Sequence, residues 1–309
     1  MANYAAIDIG TNSVRLLIAS DAGGNLCGSK QLTMTRIGEG TAKHGRLGDA
    51  AMARTYAAIS HYVQIAKQAG CILPVYCYAT SAVREAENGA DFMRQLQGIP
   101  DLVAEVISGQ EEGRLGYLGA ACGGDAVVMD IGGGSTELIL GESGKITRIH
   151  SELMGVVTAL EQYIHHDPPQ PYELAAMQAY TSAHARHLVD TVLQGQHITQ
   201  MTCIGGTGTQ IAMLVGSIPR FDAKAVHGYT VTRQQLRALL TQISQLSDAQ
   251  RKALPGMDAQ RSDVILSGSC IALSVLEQAN CDTLCASITD GLDAYLSEKI
   301  ANNAPALDR

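Results

Sequence analysis

Two stretches of the chain carry residue types suited to phosphate chemistry. Residues 5–18 align without gaps to residues 127–140, so Asp8 matches Asp130, Gly10 matches Gly132 and Ser13 matches Ser135, one domain length apart. Each copy is an apolar strand ending in Asp, a turn rich in Gly and Ser/Thr, and a second apolar strand. The turns are Gly10-Thr11-Asn12-Ser13 and Gly132-Gly133-Gly134-Ser135-Thr136. Small residues admit a phosphate close to the backbone, and successive turn N–H groups with neighbouring hydroxyls supply donors. Asp8 and Asp130 add hard oxygen ligands for the Mg²⁺ that accompanies phosphates. Two such turns facing each other across a cleft would hold a phosphoryl chain from both sides. The plainer alternative is a pair of hairpin turns, where Asp-x-Gly is common, and the ungapped repetition favours the phosphate reading.

A third glycine loop, Gly205-Gly206-Thr207, follows a strand and precedes a helix, which suits another phosphate or nucleotide contact. Ser108-Gly109-Gln110-Glu111-Glu112 opens a helix after a strand, and Ser108 with Glu111 has capping-box spacing. Glu112 has no such structural task. It is either a base that takes a proton from an attacking water or an acidic residue set against the helix dipole. Arg84, just after a strand, is either a bidentate phosphate clamp or the partner of Glu85 or Glu87. Arg15 could act as Arg84 does, or be an ordinary strand Arg.

Apolar runs of strand length alternate with amphipathic stretches of helix length, the pattern of an α/β protein. Strands are expected at 4–9, 13–20, 27–35, 73–79, 103–107, 126–130, 136–140, 145–149, 201–204 and 283–287. Helices are expected at 51–69, 89–97, 110–121, 158–165, 172–193, 210–215, 233–246, 261–278 and 292–301. Asp49 and Asn88 read as helix caps and Gly70 as a stop. The turn-rich Cys122-Gly123-Gly124-Asp125 marks a boundary between domains 1–124 and 125–309, the last helix being free to return to the first domain.

Composition narrows the function. At 309 residues the chain has material for two cores, and a net charge of −8 argues against a nucleic-acid duplex as partner. Eight cysteines without a C-x-x-C pair read as buried thiols of a reducing compartment. His165-His166 and His184-x-x-His187 lack companions at metal-binding spacing and are expected to be surface or structural. With no apolar stretch of membrane-spanning length and no leader pattern at Met1, a cytoplasmic protein is expected.

The motifs resemble the exopolyphosphatase/guanosine pentaphosphate phosphatase family of the actin-like ATPase superfamily. The resemblance rests on Asp8-Ile9-Gly10-Thr11-Asn12-Ser13 with Arg15-Leu16, on Arg36-Ile37-Gly38-Glu39-Gly40, on residues 80–88, on residues 107–115 and on residues 130–137. Gly205-Gly206-Thr207, His227-Gly228 and residues 261–268 extend it. It implies two ribonuclease H-like (actin-like ATPase) domains with a cleft between them, in the short two-domain form. It implies hydrolysis of a terminal phosphoanhydride of polyphosphate or of a phosphorylated guanine nucleotide, with Mg²⁺ as cofactor. By the same resemblance Glu112 is the general base, Arg84 a phosphate clamp and Asp130 with Glu137 the metal-side carboxylates, and the assembly is a homodimer. The chain departs from the family at Asp290-Gly291-Leu292-Asp293-Ala294, where Arg-Glu-Gly is usual after the glycine. That departure keeps open a non-catalytic sensor of guanosine penta- or tetraphosphate, and the superfamily keeps open a phosphotransferase.

Overall fold

Ala5, Ile7 and Ile9 alternate with Ala6 and Asp8 along the first strand, and all five are buried, so this strand must be covered on both faces. The computed structural model describes residues 2–21, 26–120 and 126–303. The boundary expected at Cys122–Asp125 lies outside these residues. The chain divides into two units, one made of residues up to Leu115 together with those from Gly291 onward, the other running from Gly116 to Asp290.

In the first unit β1 (Asn3–Ile9), β2 (Ser13–Asp21) and β3 (Leu26–Met34) form an antiparallel meander, and β4 (Val75–Ala79) and β5 (Leu102–Val106) add parallel to β1. The sheet order is β3-β2-β1-β4-β5, the ribonuclease H-like order. Its helices are α1 (Thr41–His44), α2 (Asp49–Gln68), α3 (Ser81–Glu85), α4 (Gly89–Leu96) and α5 (Gly109–Gly119), and the division between the units falls inside α5. One face, with Ala5, Ile7 and Ile9, packs on Ile59 and Val63 of α2 and Phe92 and Leu96 of α4.

The second unit repeats the plan. β6 (Ala126–Ile131), β7 (Thr136–Glu142) and β8 (Lys145–Glu152) form the meander, followed after α6 (Val156–Tyr163) and α7 (Pro171–Leu193) by β9 (Gln200–Ile204). Then come α8 (Gly205–Val215), α9 (Ala223–Val226), β10 (Thr230–Thr232), α10 (Arg233–Ser244), α11 (Asp248–Lys252), α12 (Ile265–Gln278) and β11 (Thr283–Ala286). The order β10-β11-β9-β6-β7-β8, read from β8, is the first sheet's order with β10 added at the edge. Met129, Leu138 and Leu140 join Leu188 and Ile271 in the main core, while Val128 and Ile139 meet Tyr117 of α5 on the other face. The last helix, α13 (Gly291–Asn303), returns to the first unit, where Leu292, Tyr295 and Leu296 cover Ala6 and Leu17. Tyr295 of α13 thus does for one sheet what Tyr117 of α5 does for the other.

Several expectations change in detail. Asp49 is the first helical residue, preceded by Gly48 as cap, and the Asn88 amide bonds the backbone of Leu47 instead of its own helix. Gly70, at φ +68, follows the end of α2. Helix α8 begins at Gly205, earlier than expected, and α12 begins only at Ile265. Cys71, Cys77, Cys203, Cys270 and Cys281 are buried thiols, whereas Cys27, on edge strand β3, is exposed and Cys285 half-buried. Cys122 lies outside the described residues. Among the described residues no helix is long and apolar enough to cross a membrane.

Candidate active site

Both repeated turns close in the same way. Gly10 N–H donates to Ser13 O at 3.0 Å and Gly132 N–H to Ser135 O at 2.9 Å. A Cβ on either glycine would sit 3.2 Å from that same acceptor, so the tight turn depends on the missing side chain. Outside the first turn, Arg36 N–H donates to Asn12 O and Gly38 N–H to Thr11 O, which brace it from the next loop. Asn12 is 8% exposed, and neither Nδ2 nor Oδ1 has a hydrogen-bond partner among the described residues. A buried, unsatisfied amide is costly unless a ligand completes it.

The strand register decides what stands beside each turn. Asp8 is the cross-strand partner of Arg15, whose Nε donates to Asp8 Oδ2 at 2.9 Å, with Nη2 on the same oxygen. Asp130 is the cross-strand partner of Glu137, the residue in the repeat position of Arg15. The first turn therefore has an ion pair where the second has two carboxylates. Glu137 is fully buried and accepts a hydrogen bond from Ser151 Oγ at 2.6 Å. Two carboxylates directly opposite on neighbouring strands repel each other, and a hard divalent cation relieves that repulsion with the oxygen donors it prefers. The donor set fits Mg²⁺ at Asp130 and Glu137, whereas Asp8 is engaged by Arg15.

The third glycine loop is the first turn of α8 itself. Gly205, at φ +78, lies so close to Asp130 that a Cβ would be 3.0 Å from its Oδ1. Thr207 Oγ1 donates to Ile131 O at 3.2 Å, so the second unit brings Asp130, the Gly132–Ser135 turn and Gly205–Thr207 together. The hydroxyls of Thr136 and Thr207 hold backbone: Thr136 Oγ1 donates to Met154 O. Sequence reasoning left Arg261 unassigned, although it lay in a quoted motif. Its guanidinium rests on Gly206, where a Cβ would be 2.1 Å from Nη1, which places a cation at the start of α8.

In the first unit, the C-terminal ends of parallel strands β1, β4 and β5 lead into the Gly10 turn, α3 and α5, the edge of an α/β sheet where ligands bind. Thr80 N–H and Oγ1 both donate to Ile9 O, tying the start of α3 to the end of β1. Arg84 on α3 reaches Glu112 on the first turn of α5, Nη1 to Oε2 3.2 Å, and donates to Ile107 O at 3.0 Å and to Glu85 at 2.9 Å. Of the two alternatives for Arg84 the salt bridge to Glu85 is present, and the same guanidinium also makes a mostly buried pairing with Glu112, the Arg84 and Glu112 side chains being 19% and 16% exposed. Ser108 Oγ accepts from Glu111 N–H at 3.1 Å, and the Glu111 carboxylate goes to Arg114, which leaves Glu112 as the carboxylate of this turn that faces Arg84. At the departure from the family pattern, Asp293 is paired with Lys30 at 2.6 Å.

Comparison with known proteins shows the family of the chain. Residues 17–289 match the model of the Ppx/GppA phosphatase family. Exopolyphosphatase 2 of Mycobacterium tuberculosis is 32% identical over 312 aligned residues, covering 95% of this chain and 97% of that protein. Among solved structures, an Aquifex aeolicus Ppx/GppA family member superposes with a TM-score of 0.80 at 27% identity over 98% of this chain and 99% of its own. An exopolyphosphatase-like protein reaches 0.89 at 27% identity, over 98% and 100%. With a match through most of its length and the fold in common, the chain belongs to the Ppx/GppA phosphatase family.

Proposed function

We propose that this protein is a Mg²⁺-dependent exopolyphosphatase that hydrolyses the terminal phosphoanhydride of inorganic polyphosphate, a chemistry that also suits the 5′ end of guanosine pentaphosphate. The observation that carries the reading is the Arg84–Glu112 pair at 3.2 Å, held at the first turn of α5 beside the ends of the parallel strands. The Glu111 carboxylate is taken by Arg114, whereas Glu112 is the carboxylate that pairs with Arg84, and it orients and deprotonates the attacking water. Before substrate binds, Arg84 holds Glu112. A phosphoryl oxygen competes for the guanidinium, and losing that cation makes Glu112 a stronger base towards the water that attacks phosphorus. Asn12 Nδ2 and the N–H groups of the Gly10 turn receive non-bridging oxygens, and the Gly132 turn offers the same kind of donors in the second unit; such fixed dipoles need no reorganisation as charge develops. Asp130 and Glu137 hold Mg²⁺, which when bound neutralises phosphate charge and acts as a Lewis acid.

The test is phosphate release from long polyphosphate, guanosine pentaphosphate and ATP, with and without Mg²⁺, for the wild type and for Glu112→Gln. Mg²⁺-dependent release from polyphosphate that Glu112→Gln abolishes supports the reading. Binding of guanine polyphosphates without turnover would make the protein a sensor, and ATP consumption only with an added acceptor would make it a kinase.

A further inference from the structure

Away from the glycine turns, the end of β8 meets α7 in a cluster of imidazoles around one carboxylate. The side chain of Glu152 is 12% exposed. His184 Nδ1 lies 2.6 Å from its Oε1, His187 Nδ1 2.8 Å from its Oε2 and His150 Nε2 3.1 Å from its Oε2. The arrangement follows from two periods. His150 and Glu152 share a face of β8 because side chains alternate. His184 and His187 share a face of α7 because they are one turn apart. The rings of His150 and His187 meet edge to face at 5.2 Å. Burial would raise the Glu152 carboxyl, but the imidazole hydrogen bonds from His184, His187 and His150 outweigh it and hold the group below the usual carboxylate range.

We propose that His150, Glu152 and His187 form a binding site for a borderline transition-metal dication of the Zn²⁺ class, with His184 holding the carboxylate from its other oxygen. The ligand atoms of these three residues all lie within 4.8 Å of one another. Tetrahedral zinc, with bonds of about 2.0–2.2 Å to His nitrogen and carboxylate oxygen, needs its ligands roughly 3.3 Å apart, so small rotations close the set. Two imidazoles with one carboxylate select Zn²⁺, Co²⁺ or Ni²⁺ over Mg²⁺, which takes oxygen and keeps its waters. His187, with its side chain 64% exposed, opens the site to solvent and leaves a fourth position for water. His184 supplies the outer hydrogen bond that fixes a ligating carboxylate.

The site also stands next to the second glycine turn. Met154 N–H donates to Glu152 O, Met154 O accepts from Thr136 Oγ1, and Val156 N–H donates to Gly132 O. A metal there pins the strand end that supports the turn.

Equilibrium dialysis of the EDTA-stripped full chain against Zn²⁺ and Co²⁺, with excess Mg²⁺ present, tests this. The expected result is one equivalent of Zn²⁺, a tetrahedral Co²⁺ absorption and a rise in Tm. All three should be lost, or weakened at least tenfold in affinity, in His187→Ala and in His150→Ala. His184→Ala, which leaves the three ligands in place, should retain the equivalent, and so should His166→Ala at the separate His166–Glu173 contact. His187→Ala changes an exposed side chain, and circular dichroism checks that both ligand variants are folded. No Zn²⁺ bound by the wild type, or equal binding by the wild type and the two ligand variants, overturns the proposal.

Discussion

Glu112 is mostly buried and Glu137 fully so, yet opposite neighbours give these carboxylates opposite tasks. Glu112 has the Arg84 cation at 3.2 Å, while Glu137 stands across the strands from Asp130. Replacing Glu112 by Gln keeps the shape and most of the hydrogen bonding but removes the base, so kcat on polyphosphate should fall roughly a hundredfold or more with little change in KM. An unchanged kcat would take Glu112 out of the chemistry. Glu137→Gln removes one of two facing negative charges and can still accept from Ser151. Without divalent metal it should therefore raise Tm, while the Mg²⁺ concentration for half-maximal activity should increase roughly tenfold or more, as lost ligand charge weakens a hard-cation site. A thermal melt in EDTA and a Mg²⁺ titration read the two effects separately. A variant less stable in EDTA and unchanged in Mg²⁺ dependence would show that the carboxylate serves only the fold.

At the level of elements, the two turns depend on what braces them. Gly155, between β8 and α6, lies so close to the second turn that an added Cβ would be 2.2 Å from Gly133 O and 2.3 Å from Gly134 N. Backbone cannot move aside as a side-chain tip does. Gly155→Ala should therefore cost on the order of 1–3 kcal/mol in stability, as overpacking does, and weaken phosphate binding by displacing the turn. Unchanged urea midpoints and phosphate affinity would contradict this account. The turns were legible in the sequence because Asp, Gly and Ser at fixed spacing repeat a whole domain later. So were the strands of the two sheet centres, whose buried faces leave continuous apolar runs, whereas the three-residue edge strand β10 was not expected. The start of α8 was not. Glycines read as helix breakers, but in a first turn the N–H groups lack intrahelical partners anyway, and Gly205 is needed there because its φ is +78 and Asp130 crowds it. The pairing of Asp130 with Glu137 follows from a register that only the folded sheet defines. Glu152 is too far in sequence from His184 and His187 for spacing to reveal that it joins them, so histidines expected to be surface or structural share a carboxylate that only the fold brings to them.

Over the whole molecule, ionised carboxylates hold segments together, and their shifts set how each unit responds to acid. In the first unit Glu105 accepts from Tyr295 Oη at 2.7 Å and pairs with Lys299 Nζ at 2.7 Å, fastening α13 to β5. Burial would raise its carboxyl, but Lys299 and Tyr295 together hold it below the usual value. In the second unit Glu173 is 2% exposed and closes the start of α7, accepting from the backbone N–H groups of Gln170 and His165 and bonding the His166 ring. Burial again opposes ionisation, and the Gln170, His166 and His165 hydrogen bonds overcome it, bringing the pKa to about 2. Both groups have a folded pKa below the unfolded one. The stability each contributes is therefore fully present above the ordinary carboxyl range near pH ~4.3 and is lost as pH falls through the folded value. Urea denaturation from pH 7 downward should show Glu105→Gln and Glu173→Gln each less stable than wild type, by amounts constant to about pH 5. The Glu105 difference should close first, just below the ordinary carboxyl range, and it should be small because that side chain is 46% exposed. The Glu173 difference should persist towards pH 2, where its own proton finally binds. Differences that do not change with pH would mean the substitutions act through packing, and closure of the Glu173 difference before that of Glu105 would reverse the order that the hydrogen bonds impose.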